Sequence, residues 1–149
     1  MAVAVIASAT PAGTVLAFDY GTKKIGVAIG ETSVGVAHPL ATIAGAGRER
    51  FEAIRSLVEE WRPVLFVVGL PSHADGKPHA MTARALRFAR QLEQRFGQPA
   101  VCTDERFTTQ AAAQALRATG ARGRRRGSAR DQVAAQLILQ DYLDRRAAT

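Results

Sequence analysis

The sequence has few of the residues that staple secreted domains or span membranes. It contains one cysteine, Cys102, which cannot form a disulfide within the chain and lies in an apolar stretch where a reduced, packed thiol is expected. After the N-terminal stretch, charged residues break every apolar run within roughly ten residues, about half the length that a spanning helix needs. The apolar stretch at residues 1–13 has no Lys or Arg that would mark a signal peptide. We therefore expect a soluble, cytoplasmic protein with no membrane partner.

Acidic residues are outnumbered, with 13 Asp and Glu against 20 Lys and Arg, so the formal net charge is +7. Such a chain attracts polyanions in a salt-sensitive way, and nucleic acid is the first candidate partner. A genome that simply favours Arg is the alternative explanation. The 149 residues, 47% of them hydrophobic, suffice for one buried core. We expect a flexible tail over residues 1–13 and a single domain over residues 14–149.

Hydrophobic patterning predicts five strands, at about residues 15–18, 25–29, 35–43, 64–68 and 100–103. The first and fourth are continuous apolar runs, as expected of strands covered on both faces. The first two are joined by a short link and should form an antiparallel hairpin. The third contains Pro39, which lacks a backbone donor and therefore belongs at the sheet edge.

Apolar residues at helical spacing predict two helices around the fourth strand, ending before Pro63 and at Gly97. An alanine-rich helix capped by Thr108 or Thr109 should follow the fifth strand. The last helix is expected from about Ala129 to Asp144. Three strands in a meander, followed by alternating helices and strands, predict an α/β fold with a mixed five-stranded sheet and helices on both faces. The ribonuclease H-like fold has this order.

Carboxylates are expected at the ends of two of these strands and in the last helix. Asp19 ends the first strand, and Asp104 and Glu105 end the fifth, where ligands gather in mixed sheets. Because side chains alternate along a strand, only one of the latter pair can face the site, and we assign Glu105. Asp131 is expected in the first turn of the last helix, where the helix dipole stabilises a carboxylate. Taken singly, each acid has a structural explanation: a turn, a strand end or, with Ser128, a capping box.

Three carboxylates brought close together repel one another unless cations lie among them, so the pattern favours a hard divalent metal. Mg²⁺ or Mn²⁺ suits ligation by oxygen alone. Two such ions about 4 Å apart would activate a water and stabilise the leaving oxygen of a phosphodiester. The sequence therefore predicts a metal-dependent nuclease with Asp19, Glu105 and Asp131 as catalytic residues and metal ligands. The three histidines show no metal-ligand spacing: His38, His73 and His79.

Basic residues adjoin these acids. The densest run comprises Arg122, Arg124, Arg125 and Arg126. It should lie immediately before the helix that carries Asp131 and attract a nucleic-acid backbone towards that acid. A solvated loop without a partner is the alternative. Three further cations flank the acidic strand ends and are candidates to hold a phosphate: Lys23, Lys24 and Arg106. The segment Pro71–His79 follows the fourth strand at the same edge and is a candidate lid over the substrate.

Four segments together resemble one known family: DYGTKKIG at residues 19–26, VGLP at 68–71, DERFTT at 104–109 and DQVAA at 131–135. The family is the YqgF type, also called RuvX-like, and the resemblance spans Val15 to Leu143. Its members are described as candidate Holliday junction resolvases and as nucleases that mature the end of precursor 16S rRNA, on a ribonuclease H-like fold. The resemblance implies that Asp19, Glu105 and Asp131 are the catalytic acids. Arg130 departs from the pattern, because an apolar residue is common there.

Several functions remain open at this level. A Holliday junction resolvase acting on branched DNA must cut two strands and favours a two-fold dimer, whereas trimming of RNA needs one active site, and the chain could be a monomer or homodimer. A non-catalytic RNA-binding ribosome-assembly factor would use only the basic surface. An actin-like ATPase shares the Asp-x-Gly-Thr turn but encloses nucleotide between two domains, and 149 residues supply one. We favour processing of precursor 16S rRNA; endonuclease and exonuclease action are both compatible with the sequence.

Overall fold

A five-stranded mixed sheet forms the centre of the computed structural model, which describes residues 12–70, 80–104 and 124–148. Its strands are β1 (Thr14–Asp19), β2 (Lys24–Glu31), β3 (Ala37–Ala44), β4 (Leu65–Leu70) and β5 (Ala100–Asp104). They lie in the order β3-β2-β1-β4-β5. The pairs β1–β2 and β2–β3 are antiparallel, and β1–β4 and β4–β5 are parallel. The expected hairpin, the mixed sheet and the edge position of the strand with Pro39 are confirmed.

Three helices are described: α1 (Gly47–Trp61), α2 (Ala80–Phe96) and α3 (Arg124–Ala148). The predicted ends of the first two are confirmed. Arg62 caps α1 in the left-handed conformation, with φ of 47°, directly before Pro63. Gly97 follows α2 with φ of 81°, a conformation that glycine adopts without steric cost. None of the described helices is both long and apolar enough to cross a membrane.

The sheet separates two hydrophobic cores, because alternate residues of each strand point to opposite faces. Leu16 and Phe18 of β1 pack with side chains of α1 and α2, including Phe88, in the first core. Val15 and Ala17 pack with side chains of α3 in the second core. All four β1 residues are fully buried, as the continuous apolar run predicts. Helices therefore cover both faces, and β1 lies in the middle of the sheet.

The expected boundaries of the last helix were wrong. Helix α3 begins at Arg124 rather than near Ala129, and it ends at Ala148 rather than Asp144. Arginine and alanine are strong helix formers, so the basic run continues the helix instead of preceding it. Asp131 is therefore the eighth residue of α3, in its third turn, where the N-terminal dipole is weak. The capping-box explanation also fails, because Ser128 lies inside the helix.

Two further expectations fall outside the described residues. The helix expected after Thr108 or Thr109 belongs to residues 105–123, and the candidate lid Pro71–His79 belongs to the gap before α2. Both stay predictions from the sequence.

Candidate active site

One row of residues crosses the sheet where β1 ends. Asp19 pairs with Gly26 of β2 on one side and with Gly69 of β4 on the other. Thr42 of β3 and Thr103 of β5 continue the row outwards. Neither immediate neighbour of Asp19 has a side chain, and both are buried, so another part of the chain can pack closely on the sheet beside this carboxylate.

Asp19 lies on the face of the sheet that α3 covers. Val15 and Ala17, which precede it at alternate positions of β1, both pack against α3. On β5, Val101 packs in the same core and Thr103, two residues later, is only 5% exposed. Asp19 is itself half-buried. The first expected acid therefore stands at the end of a rigid central strand, beneath α3.

Asp131 meets the sheet at the strand partner of Asp19. A Cβ atom built on Gly26 would lie 1.9 Å from the carbonyl oxygen of Asp131 and 3.0 Å from its Cβ. Only glycine lets α3 come this close, because real Cβ atoms keep at least about 3 Å from such neighbours. Since Gly26 pairs directly with Asp19, the contact brings two of the three expected acids to one place. Gly26 has a role that our sequence reasoning missed, although a glycine inside an apolar strand signals a close backbone approach.

Three glutamines fix α3 against the edge strand. Gln132 Nε2 donates a hydrogen bond to Thr42 Oγ1 at 3.1 Å, and Gln136 Nε2 donates to the carbonyl oxygen of Ala37 at 3.1 Å. Gln140 accepts a hydrogen bond from the backbone N–H of Ala37 at 2.9 Å. Because these glutamines recur every four residues, they line one side of the helix and set its rotation. The spacing was visible in the sequence, but its role as a clamp was not recognised.

The candidate phosphate-binding cations are distributed unevenly. Lys23 and Lys24 are exposed in the hairpin after Asp19. Lys24 precedes Gly26 by two residues on β2 and so belongs to the same face as the acids. Among the arginines, Arg106 and Arg122 lie outside the described residues, whereas the backbone of the other three forms the start of α3: Arg124, Arg125 and Arg126.

Carboxylate oxygens are the ligands that Mg²⁺ and Mn²⁺ prefer, and Asp19 and Asp131 both supply them. Glu105 lies outside the described residues. Within residues 12–70, 80–104 and 124–148, no group of three or more His, Cys, Asp or Glu side chains is placed to hold a metal ion. The described part therefore brings together two of the three expected ligands, and their donor chemistry fits a hard divalent ion.

The described histidine and the single cysteine are not part of this pair of acids. His38 is an exposed residue of β3. Burial raises the pKa of the Cys102 thiol to about 11; the charge of Glu93 also raises it, and that of Arg90 lowers it. A thiol that stays protonated is a poor nucleophile and a poor metal ligand. Cys102 is therefore a packing residue, as the sequence indicated.

The sheet order, the two helical layers and the acids at the strand end define a ribonuclease H-like domain. Solved structures share this fold. The crystal structure of the yeast mitochondrial Holliday junction resolvase Ydc2 matches with a TM-score of 0.56 at 12% identity, over 92% of this chain and 80% of that chain. Thermus thermophilus RuvC in complex with a Holliday junction matches with a TM-score of 0.50 at 16% identity, over 85% of this chain and 91% of that chain. At these identities the likeness concerns the fold.

Sequence comparison identifies the family. The model for RuvX, described as Holliday junction resolvase, matches residues 13–145. A relative from Nitrosospira multiformis, named "Putative pre-16S rRNA nuclease", is 53% identical over 144 residues, which cover 96% of this chain and 95% of the relative. The chain belongs to the RuvX family, as its four sequence segments indicated.

Proposed function

We propose that this chain is a divalent-metal-dependent nuclease that hydrolyses phosphodiester bonds, with Asp19, Glu105 and Asp131 as its metal ligands. The contact between the Asp131 backbone and Gly26 carries the proposal, because it places an acid of α3 beside the strand position that holds Asp19. Acidic residues of two different elements therefore lie at one place. The description of the family and the names of its curated relatives support a nuclease.

The register of β5 supports Glu105 over Asp104 as the third ligand. Val101 and Thr103 lie on the α3 face. If the alternation of side chains continued one residue beyond the end of β5, Glu105 would lie on that same face. Asp104 instead pairs with Leu70, which packs on the side of α1 and α2. Acids from β1, from the position after β5 and from α3 would then converge at one end of the sheet.

Bound divalent ions supply the activation of a water molecule and the neutralisation of charge on the departing oxygen. The chain's own residues would hold the ions in place. Asp19 is fixed by a buried central strand, and Asp131 by a helix that the glutamines clamp to β3. Lys24 is exposed on the same face and would attract the phosphate backbone.

We propose precursor 16S rRNA as the substrate, because the Nitrosospira relative that carries this name is 53% identical across nearly the whole of both chains. Resolution of branched DNA is the second candidate, favoured by the description of the family model. Cleavage of an RNA end needs one active site, whereas a junction resolvase needs two related by a two-fold axis. Substrate and oligomeric state must therefore be measured together.

The test uses one metal-stripped preparation of the full chain, given precursor 16S rRNA and a four-way DNA junction in parallel, with Mg²⁺, Mn²⁺ or neither. We expect metal-dependent cleavage of the rRNA by a monomer in native mass measurement. Cleavage of the junction alone by a dimer would support the second candidate. RNA binding without cleavage under any metal condition would contradict a nuclease and identify a non-catalytic RNA-binding factor.

Variants of Asp19 and Asp131 test whether that cleavage depends on the proposed site. Asp19→Asn and Asp131→Asn should each lower the rate by at least about 100-fold, since losing a metal ligand removes several kcal/mol of transition-state stabilisation. Affinity for nucleic acid should stay equal or rise, because a negative charge is lost. Asp144→Asn is the matched control on α3, an exposed aspartate that accepts a hydrogen bond from Gln140. Equal activity in all three variants would refute the assignment of the acids.

A further inference from the structure

A cavity lined by cationic side chains lies on the opposite face of the sheet from the acids. A cavity of about 340 Å³ opens between the β1–β2 turn, the first turn of α1 and the middle of α2. Its cationic lining consists of Arg50, Arg84 and Arg87, and its other lining residues in the described part of the chain include no Asp or Glu. Phe51 and Phe88 form an aromatic wall, with ring centroids 5.9 Å apart. The volume exceeds that of a simple anion and lies at the lower end of small-molecule sites.

Arg50 is the most informative of the three arginines, because it is only 6% exposed. Its Nη2 donates hydrogen bonds to the carbonyl oxygens of Gly21 and Thr22, at 3.0 and 2.8 Å. Its guanidinium also lies 5.5 Å from the centre of the Tyr20 ring. These contacts hold the side chain in place, but none of its contacts within the described residues is with a carboxylate. A buried guanidinium normally has an anionic partner.

The same side chain has a donor that no acceptor satisfies. Arg50 Nε is buried and has no hydrogen-bond partner within the described residues. Leaving a buried charged donor without a partner is unfavourable, because the group loses its hydrogen bonds to water and gains none in the protein. Arg50 lines the cavity, so an anionic group bound there would supply the missing countercharge. The uncompensated charge of this buried guanidinium thus points to a ligand that is itself an anion.

The start of α1 adds backbone donors to this cavity. Ala46 occupies the N-cap position and provides no side-chain cap, and Ala46 and Gly47 both line the cavity. The first N–H groups of a helix lack partners within the helix and carry partial positive charge, a combination that binds phosphate. Glu49, the acid of this first turn, is exposed and does not line the cavity. Backbone donors and guanidinium groups therefore line the same cavity.

We propose that this cavity binds a phosphate ester, held by Arg50, by the exposed pair Arg84 and Arg87, and by the first turn of α1. The aromatic wall and the volume favour an ester over inorganic phosphate. The ester can belong to a mononucleotide or to a nucleotide of a longer strand. Guanidinium groups bind phosphate oxygens in a bidentate manner, which suits either source. The inference concerns binding alone and does not rest on the cleavage proposed for the acids.

Calorimetric titration of the full chain in EDTA tests the site without any metal-dependent reaction. The probes are inorganic phosphate, adenosine 5′-monophosphate and a short single-stranded oligonucleotide. The test variant is Arg84→Gln/Arg87→Gln, because both side chains are exposed and their loss leaves the core intact. The matched control is Arg62→Gln/Arg90→Gln, two exposed arginines on or next to the same helices that do not line the cavity and carry the same charge.

We expect the mononucleotide to bind with a dissociation constant of about 1 mM or tighter. Affinity should fall at least tenfold in the test variant and less than twofold in the control. If only the oligonucleotide shows this difference, the ester belongs to a nucleic-acid strand and the site is still supported. If test and control variants bind all three probes alike, the proposal is overturned. Cleavage lost by Asp19→Asn with this binding unchanged would show that the two sites are separate.

Discussion

The close approach of α3 to the sheet makes Gly26→Ala the most informative single substitution. The added Cβ would lie 1.9 Å from the carbonyl oxygen of Asp131 and 2.4 Å from its carbonyl carbon. Both atoms belong to the helix backbone, so no side-chain rotation relieves the overlap. Helix α3 must retreat by about 1 Å at Asp131, and a misplacement of about 1 Å at a catalytic group costs about 100-fold in rate. We expect a loss of this size in metal-dependent cleavage.

The same substitution should destabilise the fold. Inserting a methyl group into a packed interface costs about 1–3 kcal/mol, and a clash between backbones belongs at the upper end. For a chain of this size, about 3 kcal/mol lowers the Tm by roughly 6–12 °C. Thermal unfolding followed by circular dichroism measures this change, and cleavage is assayed well below the lower Tm. The loss of activity is then separated from unfolding.

Gly30→Ala provides the matched control. Gly30 lies on the same strand and also faces α3, but its added Cβ would lie 3.1 Å from Leu143 Cδ1 and 3.2 Å from Leu139 Cδ2. Two of its three closest neighbours are the ends of flexible side chains, which can yield by a few tenths of an ångström. We expect less than half the loss of Tm and cleavage within threefold of the unmodified chain. If Gly26→Ala behaves like Gly30→Ala, the contact between Asp131 and Gly26 does not hold the site together.

Three further predictions concern other parts of the molecule. Gln140→Ala removes the acceptor of the Ala37 N–H and should lower the free energy of unfolding by about 1–3 kcal/mol, whereas exposed Gln94→Ala should have no effect by denaturant titration. The Cys102 thiol, with its pKa raised to about 11, should react with iodoacetamide at pH 8 about 100-fold more slowly in the folded than in the unfolded chain. Because the unfolded thiol ionises at lower pH, the contribution of Cys102 to stability should also fall as pH rises from about 9 to 11; Cys102→Ser should flatten this dependence, and an unchanged slope would contradict the burial argument. Neutralising Arg122, Arg124, Arg125 and Arg126 together should reduce the slope of log affinity against log salt by about three to four, and an unchanged slope would show that the run does not contact phosphates.

Local periodicity explains why so much of the fold was predictable. Continuous apolar runs predicted β1 and β4 in mid-sheet, and Pro39 predicted an edge strand, because backbone hydrogen bonding and burial act on short stretches of chain. The start of α3 was not predictable in this way. The sequence offered Ser128 and Asp131 as an N-terminal signature, yet the helix propensity of the preceding arginines extended the helix past it.

The sequence by itself determined the strand order along the chain, the two buried layers and the kinds of residue that the site uses, since these follow from residue chemistry and short-range periodicity. It also identified Asp19 and Asp131 as acids of interest. Only the tertiary structure decided that they meet, because their proximity depends on a glycine of β2 that admits the α3 backbone. Likewise, the three arginines that line the cavity on the other face of the sheet come from two different helices, and packing alone brings them together.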